Sequence, residues 1–471
     1  MEGKHRHRSV LDFVGRFCTP RISDAEVAMN SRYQNKNIAV LGAGLSGTAA
    51  ALLLRSHDAN VSVLDSATEN KLPASTIKNL REHGVRVISG PAAETNHDPC
   101  DLVILSPGID PDSPLAENFS SRNVEMIGEL ELAWQFCELP LIAITGTNGK
   151  TTTTELIAQM LNACGQRTVA CGNIGKPLSE VVRDQSKFDV LTVEVSSFQL
   201  ETIKTFRPQI AAWLNFAPDH LDRYASVAEY RRAKLRIFQY QTKKEFAVVN
   251  ASDYLPQIEA PRLTFSAYDD RADFRLVDGT ICFERTPVLR LADAKLRGSH
   301  NIENLMATLA VGHIRGLTFE QMAAPLCAYE PAPHRCEFVR TIGGVDYIND
   351  SKATNLDAAE KALQAQIKPV VLIAGGKDKG FDFQPLHDLV KKKAHTAILL
   401  GEMASRIADN WREATRCEIA GSLADAVERA HAAAKTGDVV LFSPGTSSFD
   451  MFKSYADRGD QFRRLVHALP K

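Results

Sequence analysis

The segment Ile144-Thr145-Gly146-Thr147-Asn148-Gly149-Lys150-Thr151-Thr152 limits what this chain can fold into more than any other part of it. A buried-looking apolar run, Leu141-Ile142-Ala143-Ile144, leads into it. After it, Leu156, Ile157, Met160 and Leu161 share one side of a predicted helix, and Gly165 sits where a C-terminal cap belongs. Strand, glycine-rich turn, Lys-Thr and helix is the setting of a phosphate-binding loop. In that setting backbone N–H groups and the helix N-terminus cradle phosphate oxygens, Lys150 reaches the terminal phosphates, and Thr151 is a candidate Mg²⁺ ligand. The glycines Gly146 and Gly149 stand closer together than in the common form of the motif, so this is a short variant.

Around the loop, short apolar runs alternate with helical stretches. Ile38-Ala39-Val40-Leu41, Val61-Ser62-Val63-Leu64, Val85-Arg86-Val87-Ile88 and Leu102-Val103-Ile104-Leu105 precede it. Runs over 190–195, 210–214, 369–374, 396–400 and 439–442 follow. Such runs separated by helices predict βα units and parallel sheets. A chain of 471 residues exceeds one core. The expectation is an α/β protein of three domains in series: a Rossmann-like N-terminal domain over 36–128, a central P-loop ATPase domain with a mostly parallel sheet over 129–332, and a Rossmann-like C-terminal domain over 333–471. Pro331-Ala332-Pro333 reads as the hinge before the third, because proline stiffens a linker. Residues 1–35 are basic near Lys4 to Arg8, carry no apolar signal-peptide core, and read as a loose extension with Met29 as the natural start.

A net charge of −2 gives no global pull toward nucleic acid or anionic membrane, and no apolar run reaches the length of a membrane span. The nine cysteines form an odd set without a CxxC pair, which points to a reducing compartment. Cys164, Cys171, Cys282 and Cys327 read as small buried hydrophobes.

Several further residues stand out on chemical grounds. Glu194 ends the run 190–195, and a carboxylate at the C-terminal end of a buried parallel strand faces the ligand crevice, where it suits a hard cation. Tyr230, Ala233, Lys234 and Ile237 fall on one helical stripe, which puts Lys234 on the apolar side, where an ammonium is costly unless paired or modified. Gly42-Ala43-Gly44-Leu45-Ser46-Gly47, with Asp65 after the next strand, fits a dinucleotide fingerprint. Any diphosphate at a helix N-terminus uses the same physics, so an NAD-dependent oxidoreductase remains a rival reading at this point.

The GTNGKT loop resembles that of the Mur ligases and the related folylpolyglutamate synthases. The likeness runs from Asn37 to the C-terminus. Glu194-Val195-Ser196-Ser197-Phe198-Gln199-Leu200-Glu201 resembles the family's ExSSFQLE. The segment from Asn215 through Asp219-His220-Leu221-Asp222-Arg223 resembles its DHLDR motif, and Tyr230 to Lys234 its YRxAK. Gly298-Ser299-His300-Asn301-Ile302-Glu303-Asn304 resembles GxHNxxN. Ser443 to Phe452 with Arg458-Gly459-Asp460-Gln461-Phe462 resembles the SPACASFDMF…RGxxF of the D-glutamate-adding members. The resemblance implies an ATP-dependent amide ligase that uses two Mg²⁺ ions and a carbamylated lysine at Lys234. Its substrates would be UDP-N-acetylmuramoyl-L-alanine and D-glutamate, and it would act as a cytoplasmic monomer.

By the same resemblance Lys150, Lys234, His220 and Glu194 are catalytic, with Thr151, Glu194, His220 and the Lys234 carbamate on metal. ATP would meet Gly146, Thr147, Asn148, Gly149, Lys150, Thr151, Thr152, Asn301, Asn304, Arg335, Asp350 and Lys352. The UDP substrate would meet Gly44, Leu45, Ser46, Asp65, Ser106, Gly108, Asn173 and His220. D-glutamate would meet Thr354, Lys379, Ser448, Phe449 and Tyr455. Ser66-Ala67 stand where the family often has a basic residue after the uracil-contacting acid, which leaves the uracil contacts open.

Overall fold

The computed structural model describes residues 32–470 apart from 221, 222, 297, 331, 332 and 380. Of the expected loose extension 1–35, residues 1–31, with Met29, lie outside the described residues; its last part is not loose, because Tyr33 is buried against the Phe136 ring at 5.3 Å between centroids. Leu221 and Asp222 of the DHLDR motif and two residues of the 331–333 joint also lie outside the described residues.

The first sheet contains β1 (Asn37–Leu41), β2 (Asn60–Asp65), β3 (Arg86–Ser89), β4 (Leu102–Leu105) and β5 (Met126–Gly128), in the order β3-β2-β1-β4-β5 and parallel throughout. Helix α1 (Leu45–Arg55) follows β1, and α2 (Glu129–Gln135) leads out of β5 toward the next sheet.

The central sheet is built from β6 (Leu141–Thr145), β7 (Ala170–Gly172), β8 (Leu191–Glu194), β9 (Ile210–Trp213), β10 (Phe246–Asn250), β11 (Arg262–Ser266), β12 (Phe274–Val277), β13 (Thr280–Phe283) and β14 (Thr286–Arg290). Its order is β14-β13-β12-β11-β10-β9-β6-β8-β7. Pairing is parallel from β7 to β12 and turns antiparallel in the β12-β13-β14 meander. The helices that bear on the site are α3 (Lys150–Ala163), α4 (Leu178–Val182), α5 (Ser197–Glu201), α6 (Val227–Leu235) and α7 (Ser299–Ile314).

In the third sheet β15 (Glu337–Ile342), β16 (Val345–Asn349), β17 (Val370–Ala374), β18 (Ala394–Leu399), β19 (Arg416–Ile419) and β20 (Val439–Phe442) run in the order β15-β16-β20-β17-β18-β19. Only β15 is antiparallel to its neighbour. Helices α8 (Leu356–Gln364) and α9 (Tyr455–Ala468) belong to this part.

The expectation of three α/β units with mostly parallel sheets holds. Its physical basis is visible in β4, β17 and β20, which are buried along their whole length as strands covered on both faces must be. Helix α3 ends at Ala163, and Gly165 follows at φ +83°, the left-handed cap its sequence position predicts. The stripe Tyr230, Ala233, Lys234 and Ile237 is buried, although the α-helix stops at Leu235 and Ile237 lies in a 3₁₀ turn. Two cysteine readings need correction. Cys171 and Cys282 are buried, but Cys164 and Cys327 are only half-buried, because they sit at the margins of the helix contacts around α3.

Each sheet has a strand whose two neighbours are reached by chain leaving in opposite directions: β1 between β2 and β4, β6 between β9 and β8, β17 between β20 and β18. Loops at the carboxyl ends of such strands splay apart and leave a crevice. The GAGLSG loop follows β1, the GTNGKT loop follows β6, and the loop 375–379 follows β17.

Candidate active site

The loop between β6 and α3 is held from two sides. Thr147 N donates to Asn215 O at 3.0 Å and Asn148 N to Asn215 Oδ1 at 2.9 Å, which pins it to the end of β9. Helix α7 packs on the other side so closely that a Cβ on Gly149, at φ +81°, would lie 2.4 Å from Asn304 Oδ1. Only glycine satisfies both the left-handed backbone and that approach. Lys150 Nζ donates to Gly146 O at 2.9 Å and Thr147 O at 2.8 Å, so its ammonium lies across the loop mouth. Burial pushes its pKa down, and the charges of Glu194 and Asp219 only partly oppose that.

Glu194 ends β8 beside the loop. Its Oε1 accepts from Asn173 Nδ2 at 2.8 Å, whereas Oε2 is buried with no hydrogen-bond donor. A buried carboxylate oxygen in that condition is costly, and a cation relieves the cost. His220, past the end of β9, stands in a left-handed backbone (φ +55°), edge-on to the Phe198 ring at 4.9 Å between centroids. Burial lowers its pKa to about 4, with Lys379, Lys234 and Lys150 adding to that and Asp219 opposing it. At neutral pH the imidazole is therefore neutral, the form that ligates metals. Lys234, 2 % exposed, donates to Gly146 O at 2.9 Å and sits 4.8 Å from the Tyr230 ring centroid. Burial and the Lys150 charge hold its pKa well below the ordinary lysine value. Among the described residues no three His, Cys, Asp or Glu side chains form a metal cluster by themselves.

The third domain closes the site. Asn148 Nδ2 donates to Asp357 Oδ2 and Asn355 Nδ2 to Asn148 Oδ1, tying the loop to the start of α8. Asp219 accepts from Asn355 Nδ2 at 3.0 Å and pairs with Lys379 Nζ at 2.8 Å. The enclosed cavity, of about 230 Å³, brings together residues 147–152 with Asn173, Glu194, His220, Asn301, Asn304, Arg335, Asp350, Lys352, Thr354 and Lys379. Asp350 Oδ2 accepts from Ser443 Oγ at 2.8 Å, and burial raises its carboxyl to about 6. Burial and the neighbouring Arg335 lower Lys352 to about 8, and its Nζ lies 3.8 Å from the Tyr455 ring centroid.

A second cleft lies between the first two sheets. Gly44, Leu45, Ser46, Asp65, Ser106 and Gly108 line one wall and residues 172–175 the other. Asp65 accepts from Ala43 N and Ala67 N, both at 2.8 Å, and so fastens the loop 42–47 to the end of β2. Leu45 stands 77 % exposed at the start of α1, an apolar side chain presented to the cleft. Asn173 lines both the cleft and the cavity and marks where they meet.

Five expected residues stay outside these linings: Gly146 and Lys234 are joined to each other beneath the phosphate loop, Ser448 is buried, Phe449 is 68 % exposed, and Tyr455 lies behind Lys352. The sequence reading also passed over Asp219, Asn215, Asn355, His300 and Lys361, which do line the cavity. Asp219 and Asn215 were visible inside a recognised motif. Asn355 follows directly on Thr354, a residue already assigned, whereas Lys361 carries no pattern that separates it from solvated surface.

The chain matches three family descriptions in register with the three sheets: "Mur ligase MurD-like, N-terminal domain" over 36–128, "Mur ligase middle domain" over 144–312, and "Mur ligase, glutamate ligase domain" over 334–445. The chain belongs to the Mur ligase family.

Among similar Mur ligases, the UDP-N-acetylmuramoylalanine–D-glutamate ligase of Geobacter metallireducens is 41% identical over 446 residues, covering 92% of this chain and 98% of that protein. The enzyme of the same name from Geotalea daltonii is 42% identical, covering 93% and 98%. Solved Mur ligases share the fold. UDP-N-acetylmuramate-alanine ligase MurC of Thermotoga maritima superposes with a TM-score of 0.58 at 19% identity, covering 92% of this chain and 99% of that one. MurF ligase of Thermotoga maritima, in complex with ADP, gives 0.58 at 16% identity, covering 87% and 95%. Membership explains why phosphate-loop and GxGxxG elements occur in one chain, and it removes the oxidoreductase reading.

Proposed function

We propose that this chain joins D-glutamate to UDP-N-acetylmuramoyl-L-alanine at the expense of ATP, as a cytoplasmic monomer supplying peptidoglycan synthesis. The observation that carries the reading is the meeting of cleft and cavity at Asn173. A nucleotide-linked substrate in the cleft extends its free end to the place where Lys150, Glu194 and His220 converge. The names of the relatives support the substrate pair, and the family matches over 36–128, 144–312 and 334–445 support domain bounds of 36–128, 129–332 and 333–471.

In this reading the L-alanyl carboxylate oxygen attacks the γ-phosphorus of ATP, the bond to the β-phosphate oxygen breaks, and ADP leaves. The D-glutamate nitrogen then attacks the acyl-phosphate carbon, the C–O bond breaks, phosphate departs, and the nitrogen loses a proton. Residues 146–152 hold the phosphates, with the Lys150 ammonium free to swing from the loop carbonyls onto the transferring group. Asn301 and Asn304 hold adenine from α7, while Arg335, Asp350 and Lys352 hold the nucleotide from the third domain. Closure of that domain excludes water from the acyl phosphate. Gly44, Leu45, Ser46, Asp65, Ser106, Gly108, Asn173 and His220 bind the UDP substrate. Thr354, Lys379, Ser448, Phe449 and Tyr455 bind D-glutamate.

Two Mg²⁺ ions suit the donor set. Glu194 Oε2 lacks a donor, His220 is neutral, and Thr151 opens α3, so these would hold metal together with a carbamate on Lys234. Metal held by these residues would supply positive charge beside the transferring phosphoryl group. Burial and the Lys150 charge favour the neutral amine of Lys234, the form that reacts with CO₂, which supports a carbamate there.

The test is phosphate release from ATP and Mg²⁺ with UDP-N-acetylmuramoyl-L-alanine, comparing D-glutamate, L-glutamate, L-alanine and meso-diaminopimelate. Turnover with D-glutamate alone is expected. Turnover only with another amino acid would reject the substrate assignment.

A further inference from the structure

Arg458 lies in the first turn of α9 and is 1 % exposed. A buried guanidinium usually faces a carboxylate, yet the hydrogen bonds of this one go to a hydroxyl and to backbone carbonyls. Nε donates to Ser351 Oγ at 3.0 Å, and Nη2 to Ser351 O at 2.8 Å and Thr446 O at 3.3 Å. Nη1 donates to the carbonyls of Thr446 and Ser447, each at 3.3 Å. Asp450 and Asp350 act on it only through longer-range charge.

The loops it grips carry the residues assigned above. Ser351 stands between Asp350 and Lys352, the two nucleotide-side residues of this segment. Thr446 and Ser447 run directly into Ser448 and Phe449. A third loop joins through the same atoms: Lys377 N donates to Ser447 O at 2.9 Å, and Thr446 Oγ1 donates to Lys377 O, close to Lys379. A Cβ on Gly376 would lie 2.3 Å from Ser447 O, so these strands of chain are in direct apposition. Ser351 Oγ, in turn, donates to Tyr455 O at 2.8 Å. A planar fork with donors on three nitrogens can span carbonyls from two loops, and a lysine ammonium cannot.

We propose that Arg458 is a positioning residue that locks the nucleotide-side segment (350–352) and the amino-acid-side loop (446–449) at one spacing, so that ATP and the amino acid are held in mutual register. The inference rests on the substrate assignment proposed above. Arg458 touches no substrate and acts through the loop carbonyls. It lies wholly within the third domain, away from the cleft at residues 42–47 and 106–109. Its loss therefore disturbs two of the three substrates and spares the third.

The experiment measures KM for all three substrates in wild type, Arg458→Lys and Arg458→Ala, with melting temperatures alongside. Arg458→Lys is expected to fold, to raise KM for ATP and D-glutamate together, and to leave KM for the UDP substrate unchanged. kcat/KM for D-glutamate falls on the order of 10²-fold, the scale of an ångström-level misplacement. Added guanidinium ion restores part of the Arg458→Ala activity by refilling the fork site. A fall in kcat with all three KM values unchanged would mean mere loss of folded enzyme and would overturn the proposal. So would the absence of guanidinium rescue in a folded Arg458→Ala protein. If wild type itself fails with D-glutamate, the substrate assignment falls instead, which separates the two failures.

Discussion

Lys379 Nζ lies 2.8 Å from Asp219 Oδ1, joining the loop after β17 to the loop after β9 across the boundary between central and third domains. The two side chains are 13 % and 8 % exposed, and Asn355 Nδ2 donates to the other oxygen of the carboxylate. Burial alone would raise the Asp219 pKa, but Lys379 and His220 outweigh it and hold the carboxyl below its ordinary range. Buried pairs of this kind are strongly destabilised when one partner is removed, because the other is left charged and uncompensated.

Lys379→Met is therefore expected to loosen closure of the third domain and to raise KM for D-glutamate. Small-angle scattering of the unliganded protein should report a larger radius of gyration for the variant. Superimposable scattering curves together with an unchanged KM would remove Lys379 from both roles.

Lys150→Ala is expected to lower kcat on the order of 10²-fold or more, since the ammonium stabilises charge that develops during phosphoryl transfer. Phosphate release under saturating substrates measures it. A variant within about threefold of wild type would refute the assignment of Lys150 to the transferring phosphate.

Lys234→Ala is expected to be inactive, and a short-chain carboxylic acid in the assay should restore part of the activity by standing in for the carbamate. Full activity of Lys234→Ala without additive would end the carbamate reading. So would a folded variant that no carboxylic acid rescues.

Lys352 carries a pKa lowered to about 8 by burial and by Arg335. Its positive charge is present below that value and is lost as pH rises through it. KM for ATP should accordingly climb above about pH 8, with a flat profile over the same range in Lys352→Met, whose KM is high throughout. An alkaline limb that persists unchanged in the variant would assign the titration elsewhere.

Glu131, in α2, fixes the segment that enters the central domain to the chain between α5 and β9. Its carboxylate accepts from Lys204 N at 2.9 Å, Thr205 Oγ1 at 2.6 Å and Phe206 N at 3.0 Å. Burial raises its pKa, but these bonds and that from Gln135 outweigh it and hold the carboxyl below its ordinary range. A depressed folded pKa stabilises above the unfolded value, and that stability is lost as pH falls through the folded one. Glu131→Gln should cost about 2 kcal/mol near neutrality, the scale of charge-assisted bonds lost, and should flatten the acid limb of the melting-temperature profile below pH ~4.5. Parallel profiles for the two proteins would show that this carboxylate does not anchor α2.

Much of the site was legible from local pattern. The left-handed Gly165 cap, the inward Lys234 and the carboxylate ending β8 each follow from periodicity or from strand-end placement, which are properties of neighbouring residues. The β12-β13-β14 meander was not anticipated, because its short strands lack the apolar runs that mark the parallel ones.

What the sequence determined by itself was the kind of chemistry and the order of the parts: a phosphate loop on a buried strand, a second diphosphate-type loop before it, and a carboxylate and a histidine poised after neighbouring strands. Those signals are local, so the chain order carries them. Only the tertiary structure decided which charges face one another. Asp219 meets Lys379 across 160 positions of sequence, and Arg458 gathers carbonyls from two loops, because parallel sheets bring together strand ends that the chain visits far apart.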